Sequence, residues 1–261
     1  MIWSTVVLGV GAGLLAAVMT APVGVSGAVF LLPVQLSVLG VPSPAVTPTN
    51  LLFNLIAVPG ALLRYRKRGQ RGGVLTRPLV IGSLPGVVIG ALIRVFAVPG
   101  PQVFRLIVAI VLLPVGVWLC VQTLSLRPRG RPHRAPSDRV ITALAVVVGV
   151  VGGIYGIGGG SILGPILVNR GLPVATVAPA ALTSTFLTSL VGAGTYALLA
   201  LISTGDIAPD WTLGLACGLG GLLGGYLGAH LQPHLPDTAL RLLLGGLAIA
   251  LAIVYALQAL T

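Results

Sequence analysis

The sequence contains no glutamate and only four aspartates, and charged residues fill 7% of its 261 positions. An ordinary soluble domain carries about 25% charged residues. A chain of this length cannot cover a water-facing surface with so few, so the composition excludes a water-soluble globular protein. The four acids, Asp138, Asp206, Asp210 and Asp237, fall in connections or at helix ends. That placement excludes the intramembrane carboxylate relay common in proton pumps, and it argues against a tight cation site. Cysteine is also scarce: Cys120 and Cys217 sit inside apolar segments and read as small buried hydrophobes. No basic leader precedes the first apolar run, which is therefore expected to stay in the protein as a membrane helix.

What is present is apolar sequence interrupted by glycine and proline. Hydrophobic residues make up 56% of the chain, with 37 glycines and 20 prolines. A helix crossing a bilayer core needs about 20 apolar residues. Such runs occupy roughly 3–20, 44–64, 78–97, 102–125, 139–155, 176–201, 211–231 and 239–260. Two further apolar segments, 23–40 and 157–171, are punctuated by Gly and Pro. The spacings Gly149-x-x-x-Gly153, Gly220-x-x-x-Gly224 and Gly224-x-x-x-Gly228 allow close helix contact, and packing is their expected role.

The net charge of +11 is unevenly placed. Eleven of fifteen basic residues lie in two stretches: Arg64, Arg66, Lys67, Arg68, Arg71 and Arg77, then Arg127, Arg129, Arg131, Arg134 and Arg139. Basic connections between apolar runs mark the cytoplasmic side of a membrane protein. Loops 64–77 and 127–139 are therefore expected to be cytoplasmic, in a multi-pass protein of the cell (inner or plasma) membrane. The charge is not expected to bind nucleic acid, since no soluble module remains to do so.

An internal repeat divides the chain. Pro22 to Pro33 aligns with Ile154 to Pro165, setting Gly24, Gly27 and Pro33 against Gly156, Gly159 and Pro165. With one residue slipped, Gly40 to Pro48 aligns with Gly171 to Pro179, setting Pro42 and Pro48 against Pro173 and Pro179. The loop after the long span of the first half, 64–77, is basic. Its counterpart, roughly 202–210, has Asp206 and Asp210 and no basic residue. Equivalent loops of opposite character belong on opposite faces, which makes the repeats inverted, as in many secondary transporters. The expected fold is an all-α integral membrane protein of two inverted repeats, each of about five segments with one broken Gly/Pro-rich segment. Residues 1–126 form the first repeat, 127–138 a basic cytoplasmic linker and 139–261 the second. Whether 23–40 and 157–171 cross the membrane or re-enter, and whether the chain forms a homodimer, is left open.

The breaks at 22–27 and 156–161 point to a site. A helix starting after a break aims unpaired N–H groups and a positive dipole end at the middle of the fold, which suits an anion without any basic side chain. Ser26, Thr47, Thr49, Asn50 and Asn54 gather near the first break, and Ser161, Thr183, Ser184 and Thr185 near the second. The candidate substrate-binding set is Gly24, Ser26, Gly27, Thr49, Asn50, Asn54, Gly158, Gly159, Gly160, Ser161, Ser184 and Thr185. Its expected ligand is a small anion, with no cofactor and no metal. His230 and His234 have i,i+4 spacing, but Pro233 interrupts the turn and no third ligand is near. Arg94 and Arg105 flank the Pro99-Gly100 turn and are expected to snorkel to the interface.

Gly156-Ile-Gly-Gly-Gly-Ser161 with Pro165, Gly171-Leu-Pro-Val-Ala-Thr-Val-Ala178 and Arg64-Tyr-Arg-Lys-Arg-Gly69 together resemble the sulfite exporter TauE/SafE family, permeases for sulfur-containing anions. The likeness covers the whole chain and implies an inverted-repeat permease for sulfite, organosulfonates or similar small acids. Ser26-Gly27-Ala28 stands where the family commonly has three glycines, and Thr47-Pro-Thr-Asn50 is more polar than usual. Two other classes compete. An anion channel can use the same broken helices. Gly24-Val-Ser26-Gly27 also matches an intramembrane serine protease pattern, but that chemistry needs a histidine on a neighbouring span. The histidines here, His133, His230 and His234, lie in a loop or at a helix end. The chain is expected not to be an enzyme.

Overall fold

The computed structural model describes residues 2–37, 39, 41, 43–70, 73–97, 101–124, 137–202 and 207–260. Most of the basic linker, with Arg127, Arg129, Arg131, His133 and Arg134, lies outside the described residues. So do Gly40, Pro42, Arg71, the Pro99-Gly100 turn and Asp206. Among the described residues the chain forms α-helices and short 3-10 turns, with no strand. The helices are α1 Ile2–Thr20, α2 Ala28–Ser37, α3 Ser43–Lys67, α4 Thr76–Phe96 and α5 Pro101–Leu124, then α6 Asp138–Tyr155, α7 Gly160–Asn169, α8 Val174–Ile202, α9 Trp211–Leu231 and α10 Asp237–Leu260.

Seven of these helices, α1, α3, α4, α6, α8, α9 and α10, are long and apolar enough to cross a membrane. The broken segments resolve differently. α2 and α7 hold ten residues each, about 15 Å of helix, or half of a bilayer core. Non-helical chain flanks both.

The apolar pattern is inside out relative to a soluble bundle. On α9, Leu215, Leu219, Leu223, Leu227 and Leu231 are exposed, while Gly214, Gly218, Gly221, Gly225 and Gly228 are buried. Large side chains face outward and glycines face the neighbouring helices, as expected where association depends on close backbone approach. A Cβ added to Gly82, Gly86 or Gly90 of α4 would stand 2.2–2.4 Å from the carbonyl oxygens of Thr142, Val146 and Val150 on α6. The same contact recurs between α1 and α9, where Gly220 and Gly224 meet the carbonyls of Val10 and Leu14.

These contacts also fix direction. Both numbers ascend together along α4 and α6, so the two helices are parallel. α1 runs parallel to α9, and so does α3, because Leu52, Ile56 and Ala57 meet Gly214, Gly218 and Gly221 in order. Two consecutive long helices pointing the same way require the chain between them, 21–42, to return from one end of the bundle to the other. α8 runs parallel to α4, with Ser184 at Ser83 and Gly192 at Val87, so 156–173 makes the equivalent return. α3 and α8 are antiparallel: Leu51 meets Gly192, while Val58 and Ala61 pack with Leu182 and Ala178.

One end of the bundle is strongly basic. It gathers Arg64, Arg66, Lys67 and Arg68 at the close of α3, Arg77 at the start of α4, Arg139 at the start of α6 and Arg241 near the start of α10. Arg68 caps α9 there, donating to the carbonyls of Ala229 (3.2 Å) and His230 (3.0 Å). The expectation for Arg94 is not met. It is 9% exposed and counts among the buried residues of α4.

A Gly86→Leu substitution places a side chain where the Val146 carbonyl already stands, and overpacking of this kind costs about 1–3 kcal/mol. A lower thermal midpoint in detergent is expected for Gly86→Leu. Gly11→Ala, which meets nothing within 4 Å, should leave the midpoint unchanged.

Candidate functional site

A helix that ends inside a bundle leaves four carbonyls without intrahelical partners. At the end of α6 each of the four is answered by a side chain from α3 or α8. Tyr196 donates to Gly153 O (3.0 Å), Thr47 to Ile154 O (2.9 Å), Asn50 to Tyr155 O (3.5 Å) and Asn54 to Gly156 O (3.1 Å). The end of α1 is treated similarly. Tyr65 donates to Ala21 O (2.8 Å) and Gln232 to Pro22 O (2.9 Å).

Both breaks turn on a glycine in the left-handed region. Gly24 (φ 76°) would set a Cβ 2.3 Å from Ala178 Cα on α8, and Gly156 (φ 69°) would set one 2.3 Å from Thr47 O on α3. Only glycine combines that φ with that approach. Past these turns the two breaks touch. Ser26 N–H donates to Ser161 Oγ (3.0 Å), and the Ser26 hydroxyl donates to Asn54 Oδ1 while accepting from Ala28 N–H (3.1 Å). Asn54 thus holds the end of α6 and the start of α2 at once. Ser161 donates in turn to Ile157 O (2.9 Å).

The start of α7 is the other component. Its N-cap is Gly159, which has no side chain to offer. Thr185 of α8 lies against Gly158 and Gly160, and Ser83 of α4 lies against Gly159. Ser184 donates to the Ser83 hydroxyl (3.2 Å). Thr185 and Ser189, one turn apart on α8, are fully buried, and neither hydroxyl has a partner among the described residues. Asn50 Oδ1 is likewise buried without a donor.

Of the residues expected from sequence, Gly24, Ser26, Gly27, Asn54 and Ser161 meet where the breaks touch. Asn50 stands beside them, and Gly158, Gly159, Gly160 and Thr185 surround the start of α7. Ser184 joins through Ser83. Thr49 does not join: its hydroxyl donates to Ala45 O (2.6 Å) and accepts from Asp210 N–H (2.9 Å), pinning α3 to the start of α9. Thr183 also turns away, toward an open cleft of about 330 Å³ at the basic end that Leu62, Arg66, Gln70 and Pro179 complete. Sequence reasoning missed Ser83, Ser189, Tyr65, Tyr196 and Gln232. Only Ser189 carried a local signal, its i+4 spacing from Thr185 on a polar helix face.

The site is closed in this conformation. The void beside Ser26 and Gly27 measures about 10 Å³, barely room for one water. The side chains where the breaks touch and at the start of α7 are amides and hydroxyls, and no Asp, Lys, Arg or His is among the residues named there. The Ser26 hydroxyl is engaged by Asn54 and Ala28, so no histidine base serves it among the described residues.

The family model described as sulfite exporter TauE/SafE matches residues 9–255. No curated protein and no solved structure matches the chain.

Replacing Asn54 by alanine orphans Gly156 O and frees the Ser26 hydroxyl. Side-chain hydrogen bonds between membrane helices are worth about 0.6 kcal/mol on average and about 1.7 at most. Asn54→Ala should therefore destabilise by about 1–2 kcal/mol, read as a lower unfolding midpoint in detergent.

Proposed function

The chain belongs to the sulfite exporter TauE/SafE family, and we propose that it is a secondary transporter moving sulfite or an organosulfonate across the cell membrane by alternating access. The observation that carries this reading is the junction of the two breaks, where Ser26 N–H meets Ser161 Oγ and Asn54 bridges both. It brings uncharged donors and helix starts together deep within a bundle whose outer surface is apolar.

Inverted repeats, 1–126 and 139–261 joined by the linker 127–138, account for the packing. If α1 to α5 correspond to α6 to α10, the pair α1·α9 maps onto α6·α4, and α3·α9 onto α8·α4. All four pairs pack closely. The correspondence extends to residues: Gly24 packs on Ala178 and Gly156 on Thr47, which are equivalent positions in the repeat register. α3 and its counterpart α8 run in opposite directions, as inversion requires. The returns of 21–42 and 156–173 then count as crossings, giving five passes per half. The basic end faces the cytoplasm under the positive-inside rule.

Alternating access is supported by closure. The void beside Ser26 and Gly27, about 10 Å³, is too small for an oxyanion, and the cleft at the basic end stands where an inward path would begin. Reconstituted protein should show saturable sulfite counterflow. Ser161→Ala, which leaves Ser26 N–H without its acceptor, should lower the counterflow several-fold while the protein still elutes as a single species. Conductance far above carrier turnover would replace this reading with a channel.

A further inference from the structure

We propose that the anion is held at only one of the two breaks, the start of α7, and that the start of α2 is its self-closed counterpart. The inference rests on the transporter reading above and narrows its site.

At the start of α2 the protein answers its own donors. Ala28 N–H is capped by Ser26 Oγ at 3.1 Å, and Ser26 N–H by Ser161 Oγ at 3.0 Å. Ser26 stands two residues before α2, the place Gly158 holds before α7, and its hydroxyl is in turn held by Asn54. At the start of α7 nothing equivalent exists. Gly159 carries no cap, and the amides of Gly159 and Gly160 have no acceptor among the described residues. Ser161 N–H reaches Gly158 O at 3.4 Å, just as Val29 N–H reaches Ser26 O at 3.4 Å, so the difference between the two starts lies at the Gly160 amide.

The repeat register makes the difference specific. Setting Gly24 on Gly156 places Ser26 on Gly158 and Ala28 on Gly160. Setting Pro48 on Pro179 places Asn54 on Thr185. The first-half arrangement, a side-chain oxygen between a helix-start amide and a polar group of the following long helix, therefore has an empty second-half equivalent. Its two ends are present: the Gly160 amide, and the Thr185 hydroxyl, which is 0% exposed and has no partner. Thr185 Oγ1 lies 2.7 Å from where a Cβ on Gly160 would stand and 3.1 Å from where one on Gly158 would stand. Ser83 Oγ closes the third side, 2.8 Å from a Cβ placed on Gly159.

An oxygen of the anion takes the place that Ser26 Oγ occupies in the first half. It accepts from the Gly160 amide and from the Thr185 hydroxyl. In this conformation those positions are filled, with Ala181 O 2.0 Å from a Cβ placed on Gly160 and Thr185 Cγ2 2.5 Å from one placed on Gly158. The ligand class is an oxyanion whose charge is met by the positive end of α7. Admission requires α7 to move away from α8, since the space is closed in this conformation.

The test is sulfite counterflow by purified protein in liposomes, with KM and kcat measured separately, alongside the shift in thermal midpoint that sulfite produces in detergent. Thr185→Val should raise KM about tenfold or more, as loss of one hydrogen bond to a charged ligand implies. It should abolish the sulfite-induced shift and should not lower the midpoint of the empty protein, because the hydroxyl has no internal partner. Thr185→Ser should restore most of the affinity. Ser26→Ala should lower the midpoint of the empty protein, through the lost cap, and raise KM less than Thr185→Val does. If Ser26→Ala raises KM as much, the site is two-ended and the inference fails. An unchanged KM in Thr185→Val also overturns it. Neither result touches the transporter reading, which falls only if the wild-type protein shows no saturable exchange.

Discussion

A helix that stops within a bilayer exposes backbone groups that lipid cannot satisfy, and the rest of this structure is arranged around that constraint. The end of α6 states it most fully. Four successive carbonyls, from Gly153 to Gly156, each require a donor, and α3 and α8 supply Tyr196, Thr47, Asn50 and Asn54. Those two helices must therefore pass close to the break at defined heights. That is possible only because Gly156 and Gly24 let the turns press against the backbones of α3 and α8. The glycines and the amides are one device: the first allows the approach, and the second answers the groups that the approach buries.

Much of this architecture was legible in the sequence. Apolar run length located the long helices to within a few residues, because a bilayer sets that length directly. The two breaks were legible because glycine and proline mark where a helix cannot continue. The roles of the polar residues were less legible. Asn50 and Asn54 read as ligand donors, yet the structure uses their amide nitrogens on carbonyls of α6. A carbonyl's orientation after a left-handed turn depends on the turn, and nothing in the residue spacing encodes it. Tyr65, Tyr196 and Gln232 were invisible for a related reason: each reaches a break from a distant element. Thr49 sits on the right helix but on another face, toward Asp210, and Ser184 joins only through Ser83. Arg94 was misread because the sequence shows its depth but not which side of α4 it occupies.

The glycine seams have a mechanical consequence. α4 lies on α6, and α1 on α9, with backbone carbonyls at positions that any Cβ would occupy. Such contacts cannot slide without clashing against the next carbonyl, so each pair moves as a unit. The short helix α7 meets α8 in one such contact, since a Cβ on Gly160 would stand 2.0 Å from Ala181 O. Beyond it, α2 and α7 are held by hydrogen bonds, those of Ser26, Ser161 and Asn54 and those from Tyr255 to Val29 O and from Arg241 to Val168 O, and by packing on their neighbours. Hydrogen bonds can be exchanged for bonds to a ligand at small net cost, whereas interlocked backbones cannot.

The two halves answer the same constraint with different chemistry. On the carbonyl side both breaks are satisfied by protein groups, since the ends of α1 and α6 each find donors. In the register that sets Gly24 on Gly156 and Pro48 on Pro179, the amide side differs at Asn54 and Thr185, at Ala28 and Gly160 and at Ser26 and Gly158. A serine there closes the helix start with its own oxygen. A glycine leaves the amides to whatever oxygen comes next, and Thr185 waits beside them without a partner. A buried hydroxyl left unpaired is unfavourable, and an apolar residue of the same shape would pack as well. Its presence next to uncapped amides is explained if the missing oxygen belongs to the anion being carried.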